Sequence, residues 1–305
     1  MKMDKRRFIP CALHHIYQRS ADRGLLFYSV GDFIAYYTVF MTKAIKYGIQ
    51  VYGLSLMYDH VHQMSVAPDA KTLGRFVGEV NCTYARLFNS EIGRKGALFA
   101  KGYGCAPRTK SKYIKSSLIY LFNNQVEKGL CKCAIDNRWN FLAYYFSPNP
   151  FSKKLIIRRA SKYLRSAISI VKNIAENNRV ISPLLFRNLI GKLDVKERDQ
   201  LIDFIISTYS TIDYKTVISL WKSQESMLEA IDSTTGSEFD IGETIEKNVS
   251  DAVYPTIINC IRGLGMNAKD AIMLPDENKL QIARLVSVHI SVPWFQICRV
   301  LHLEK

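Results

Sequence analysis

The chain has 305 residues, 48% of them hydrophobic, which is enough to bury a sizeable core as one large domain or two ordinary ones. It contains no apolar run of the roughly eighteen residues that a membrane helix needs. Its opening residues, MKMDKRRFIP, lack the apolar stretch of an export signal, so the expectation is a cytoplasmic protein with no membrane partner. The net charge of +15 divides into +12 on residues 1–150, +8 on 151–200, −6 on 201–250 and +1 on 251–305, so the basic part points to a polyanion, most simply nucleic acid.

Taken in chain order, the pattern predicts a strand over 12–20 (ALHHIYQRS) and a helix over 32–48. A strand over 49–57 then turns at Tyr58-Asp59 into a second strand over 60–68. A helix follows over 71–90, then an extended segment over 97–107, and a helix over 111–128 stopped by Gly129. Strands interleaved with helices suggest an α+β sandwich of the ferredoxin-like type. The stretch SPNPF (147–151) breaks this pattern and divides the chain into a domain over 1–147 and an all-helical C-terminal region over 148–305. Seven cysteines, an odd number without a repeated C-x-x-C, fit reduced thiols, and Cys131 and Cys133 lack the second pair of a zinc site.

The six histidines are unevenly used, for LMYDHVHQMSV (56–66) places His60 and His62 with one residue between them. On a strand, residues two apart point to one side, so the two imidazoles stand side by side. That is a metal-ligand spacing, or else the accident of a half-buried strand. On the helix over 111–129, wound at about 100° per residue, the sector within about 60° of Tyr120 holds Tyr113, Ser116, Ser117, Asn123, Asn124 and Glu127. Ile114, Leu118, Leu121 and Phe122 gather on the opposite side, so Tyr120 is expected on a polar face, available for chemistry or simply exposed.

These residues resemble the single-tyrosine HUH transposases, and most closely the REP-associated tyrosine transposases. ALHHIYQRS resembles the family's opening strand, LSLMYDHVHQMSV its metal-binding strand and LGRFVGEVNCTYARLFN the helix after it. GALFAKGYGC resembles the next strand and YLFNNQVEKGL the catalytic helix. The likeness runs from about residue 8 to about 147 and leaves the C-terminal half uncovered. It implies an RRM-like HUH catalytic domain that cleaves and rejoins single-stranded, hairpin-forming DNA through a 5′-phosphotyrosine intermediate, as a monomer or homodimer. It also implies Tyr120 as nucleophile, with His60, His62 and Asn124 holding Mg²⁺ or Mn²⁺. Arg6, Arg7, Lys110, Lys112 and Lys115 are then candidates for contacts with the DNA backbone. The chain departs from the family at Asp59, where many members have asparagine, at Gln63, where they have an apolar residue, and at Gln125, where many have proline.

Beyond the boundary, the basic and apolar residues of 153–176 suit a helix lying on phosphates or an ordinary surface helix, and 233–243 reads as a polar loop. Residues 276–305 suit a helix-turn-helix, with Ser291 as cap and Pro293 in the second helix's first turn. Gln296, Arg299 and His302 would then face duplex DNA, although a terminal hairpin packed on its neighbours fits equally. Two rivals to the transposase reading stand. One is a catalytically silent, domesticated DNA-binding protein that recognises hairpin or repeat DNA, and the other is a metal-dependent phosphodiesterase in which Tyr120 is incidental.

Overall fold

The structure, a computed structural model, describes residues 7–234 and 250–303. Its first half runs β1 (Leu13–Arg19), α1 (Val30–Tyr47), β2 (Gln50–Leu56), β3 (His60–Val66), α2 (Ala70–Ile92), β4 (Gly104–Arg108) and α3 (Ser111–Glu127). The helices start and stop where local chemistry dictates. The Ser29 and Asp69 side chains accept the backbone N–H of Asp32 and Thr72 at the entries of α1 and α2, and Gly48 and Gly93 take left-handed φ of 61° and 70° at their exits.

The strands form one antiparallel sheet in the order β2-β3-β1-β4, the ferredoxin-like order expected from the sequence. β2 and β3 are joined by a tight turn that the Met57 N–H closes on the His60 carbonyl. β4 is shorter than the extended segment expected over 97–107. Gly102, at φ 82°, turns the chain just before it, and only a bridge between Ser20 and Phe99 precedes that turn. One sheet face carries Ile16, Leu54 and Val61 against Phe40 of α1 and Phe76 and Val77 of α2. The other face is crossed by α3, whose Leu118 and Leu121 rest on Gly53, where a Cβ would come within 3.3 Å of Leu121.

The second half is helical, as expected: α4 (Lys162–Glu176), α5 (Pro183–Ile190), α6 (Val195–Tyr209), α7 (Tyr214–Ser219), α8 (Gln224–Asp232), α9 (Val253–Gly263), α10 (Ala268–Ala271), α11 (Asp276–His289) and α12 (Trp294–Leu301). The helix expected from 153 begins only at Lys162, capped by Ser161, so Lys153 and Lys154 precede it in irregular chain and Arg158 and Arg159 in a single 3-10 turn over Ile157–Arg159. It turns Leu164, Ala167, Ile168 and Val171 inward, as an ordinary amphipathic surface helix does. Most of the polar loop expected over 233–243 lies outside the described residues.

One continuous apolar core joins the halves, from Ile16 and Phe40 through Ile206 to Ile257 and Leu301. Polar links cross the same boundary. The Tyr37 hydroxyl donates to the Ile206 carbonyl at 2.9 Å, Tyr28 to that of Val300 at 2.7 Å, and the Ile181 N–H to Thr38 Oγ1 at 3.1 Å.

The expected helix-turn-helix needs a correction. α11 and α12 form, but α12 begins after Pro293 and Ser291 does not cap it. The face meant for DNA is turned inward: Gln296 donates to the Ser250 carbonyl at 2.8 Å, and Arg299 reaches the Tyr254 hydroxyl at 3.3 Å. Both side chains are buried, and the half-buried His302 ring lies 3.3 Å from the Leu25 carbonyl. Eight residues offer only one wide apolar stripe, and packing Ile297, Val300 and Leu301 carries these neighbours inside with them.

Candidate histidine and tyrosine site

β3 is flanked on both sides, by β2 and by β1, so its side chains are shielded along their length. His60 and His62 point to the α3 face. In the β1–β3 register Tyr17 stands opposite His62 and Arg19 opposite His60, which puts His15, Tyr17 and Arg19 on that same face. The Tyr17 ring lies across Gly104 of β4, where a Cβ would fall only 1.9 Å from it, so any side chain there would displace the ring.

Each histidine of the pair is held through Nδ1. His60 Nδ1 donates to Asp59 Oδ1 at 2.5 Å. His62 Nδ1 lies 3.0 Å from His15 Nε2, and the two rings lie edge to edge, their centroids 5.2 Å apart with 9° between their planes. The His60 and His62 rings are 4.9 Å apart and nearly perpendicular. Burial, and then the nearby His60 and Arg19, lower the His62 pKa well below its ordinary value and keep the ring neutral, the form that binds metal. At Asp59 burial opposes ionisation, but His60 and the more distant Arg19 and Arg299 outweigh it and hold the carboxyl at about 2.

α3 brings Tyr120 over this row. Its ring stands edge-on to His62 at 5.6 Å and to His15 at 5.9 Å. One turn later Asn124 donates Nδ2 to the Tyr120 carbonyl at 3.1 Å, leaving Oδ1 as an acceptor. The structure therefore gathers His60, His62, Tyr120 and Asn124 on one side of the sheet. The polar face around Tyr120 is nevertheless interior: Tyr120 is 4% exposed and Asn124 4%. The helical half covers it, with Asn123 donating to the Ile231 carbonyl of α8 at 2.7 Å and the Asp251 N–H bonding the Lys128 carbonyl at 2.9 Å. A helical wheel of one segment cannot register a cover from residues a hundred positions away.

Among the described residues no group of three or more His, Cys, Asp or Glu side chains could hold a metal ion. The donor types of the expected ligands, two imidazoles with Nδ1 engaged and one amide oxygen, suit a divalent cation. Of the expected DNA contacts, Arg7, Lys110 and Lys112 are exposed, while Lys115 is half-buried with its ammonium over the Trp221 ring at 5.7 Å. Arg6 lies outside the described residues. Sequence reasoning passed over His15, Tyr17 and Arg19, whose alternation in HHIYQR was visible but whose pairing with β3 was not. It also passed over Asp251, whose Oδ2 is buried without a hydrogen bond near Asp59.

Topology and site together define a ferredoxin-like α+β domain with a strand-borne histidine pair set against a helix-borne tyrosine. Residues 11–124 match the family described as transposase IS200 like. The match ends on Asn124 and leaves the helical half outside it. A solved structure of a REP-associated tyrosine transposase bound to a REP hairpin is similar over 47% of this chain and 84% of that one, at 12% identity and a TM-score of 0.42. No curated protein matches the chain. Among the described residues no helix is long and apolar enough to cross a membrane.

Proposed function

We propose that the protein cleaves and rejoins single-stranded DNA, with Tyr120 as the nucleophile and His60, His62 and Asn124 as ligands of a divalent cation, Mg²⁺ or Mn²⁺. The observation that carries this reading is the Tyr120 ring of α3 set edge-on at 5.6 Å against His62 of the β3 pair, with Asn124 one turn along the same helix. When bound, the cation would neutralise charge on the scissile phosphate and align it. Tyr120 Oη attacks phosphorus, a P–Oη bond forms, and the bond from phosphorus to the 3′ oxygen breaks. The phenolic proton passes through water to that oxygen, which leaves as a free 3′-hydroxyl, and the 5′ end stays on the tyrosine. The new ester keeps the energy of the phosphodiester, so another 3′-hydroxyl reverses the step and joins different ends.

A single strand, bent by an adjoining hairpin, suits a phosphate site sunk between sheet and helix better than a duplex does. Lys110 and Lys112 rim the N-terminal end of α3, about 12–15 Å along the axis from Tyr120. The half-exposed Tyr113 beside them offers a ring for base stacking. Arg7 supplies a further cation, and a monomer or a homodimer satisfies this reading. Because Gln296 and Arg299 face inward, contact with flanking duplex would fall to the exposed basic run ahead of α4.

The burial of Tyr120 favours one rival, a silent DNA-binding relative that recognises hairpin or repeat DNA. Labelled single-stranded oligonucleotides carrying a hairpin, incubated with the protein and Mn²⁺, separate the two. Label is expected to migrate with denatured protein in the wild type and to vanish in Tyr120→Phe, with hairpin binding within about twofold of wild type. Tight hairpin binding without any adduct in the wild type would leave the silent relative, and cleavage without an adduct would leave a phosphodiesterase.

A further inference from the structure

A histidine has two ring nitrogens, and the partner on one decides which is left for a metal. Both histidines of the pair are engaged on the same nitrogen by side chains outside the proposed ligand set: His60 Nδ1 by Asp59 at 2.5 Å and His62 Nδ1 by His15 at 3.0 Å. We infer that Asp59 and His15 are positioning residues, which fix the tautomer and the ring plane of His60 and His62 so that both present Nε2 to one cation. The inference rests on the metal reading above.

The geometry argues for fixed rather than incidental contacts. His15 is fully buried, and its ring lies edge to edge with that of His62, 9° from coplanar, as an in-plane N···N hydrogen bond requires, so turning the His62 ring over breaks that bond. The Asp59 backbone is pinned as well, its carbonyl accepting the Ser20 N–H at 2.9 Å where β1 ends. For His62 to offer Nε2 to a metal, Nδ1 must carry the proton and His15 Nε2 must accept it. The His15 proton then sits on its own Nδ1, a single tautomeric assignment for both rings. Asp59 acts on His60 as a carboxylate does in a carboxylate–histidine–metal triad, orienting the ring and fixing its tautomer.

The test uses the full chain labelled with ¹⁵N. Long-range proton–nitrogen NMR of the metal-free wild type is expected to find His60 and His62 both protonated at Nδ1, and protonation of His62 at Nε2 overturns the inference. Mn²⁺ titration calorimetry is expected to show affinity lowered about 10–100-fold in Asp59→Ala and in His15→Phe, which keeps a ring of similar shape but no acceptor. Asp59→Asn and His15→Gln, whose amide oxygens can accept the same protons, are expected to recover most of the loss. A purely structural role predicts instead that Phe at 15 does as well as Gln, and Mn²⁺ affinities within twofold of wild type in His15→Phe and Asp59→Ala overturn the inference. His62→Ala is the control. If it abolishes Mn²⁺ binding while the positioning variants do not, the inference alone fails, and if it leaves binding unchanged, the metal reading fails with it.

Discussion

Asp59 and Asp251 come from opposite halves of the chain and share one buried neighbourhood, and their carboxyls respond in opposite ways. Asp59 is held ionised at about 2 despite its burial, by His60 first and by more distant arginines. At Asp251 burial, then the negative charge of Asp59, push the pKa up to about 7. A carboxyl raised in the folded state adds stability that is complete below its unfolded value and is lost as pH rises through the folded one. Asp251 therefore works against folding above about pH 7, where its Oδ2 is charged without a hydrogen bond. Asp251→Asn is expected to raise stability at pH 8 by on the order of 2 kcal/mol, with the advantage shrinking toward pH 5. Urea unfolding at both pH values measures it, and an advantage equal at the two would sink the argument. His62 and His302 act with the opposite sign: burial lowers both, His302 to about 4, so the stability they allow is lost as pH falls below their ordinary value.

On the proposed reading, helix α3 divides its neighbouring amides between metal binding and structure. Asn124 follows Tyr120 by one turn and spends only its Nδ2 on the Tyr120 carbonyl, whereas Gln125 points to the sheet and donates to the Leu56 carbonyl at 3.2 Å. Asn124→Ala is expected to raise the Mn²⁺ concentration needed for adduct formation tenfold or more, with little change in unfolding. Gln125→Ala is expected to leave that requirement unchanged and to cost about 1–2 kcal/mol of stability. A metal titration in which the two variants exchange roles would place the wrong amide at the site. The departures from the family pattern also find places here. Asp59 pairs with His60, Gln125 ties α3 to the end of β2, and Gln63 points away from the histidines to the face packed by α1 and α2.

Across the whole molecule, the helical half closes over the first by charge as well as by apolar packing. Lys269 of α10 is buried between Asp32 of α1, at 2.6 Å, and Glu91 of α2, with its ammonium over the Phe88 ring at 4.2 Å. Removing one member of such a cluster strands the others in low dielectric. Lys269→Met is expected to lower stability by about 3–5 kcal/mol while the chain still unfolds in one transition, because no separate core remains to melt later. Two resolved calorimetric transitions in the wild type would count against a shared core.

What the sequence determined by itself was local. The 2.0 and 3.6 periods placed every strand and helix of the first half to within a few residues, β4 excepted. The H-x-H spacing and the Tyr120–Asn124 turn put the site on two named elements, since side chains two apart on a strand and four apart on a helix share a face whatever surrounds them. Tertiary structure decided what those faces meet. The polar side of α3 became interior because α8 and the chain at Ser250–Asp251 close on it, and α12 turned Gln296 and Arg299 inward because its apolar stripe had to be buried. His15, Tyr17 and Arg19 joined the site through strand pairing alone. Pairing and cover depend on contacts between residues far apart in the chain, and no periodicity within a segment records them.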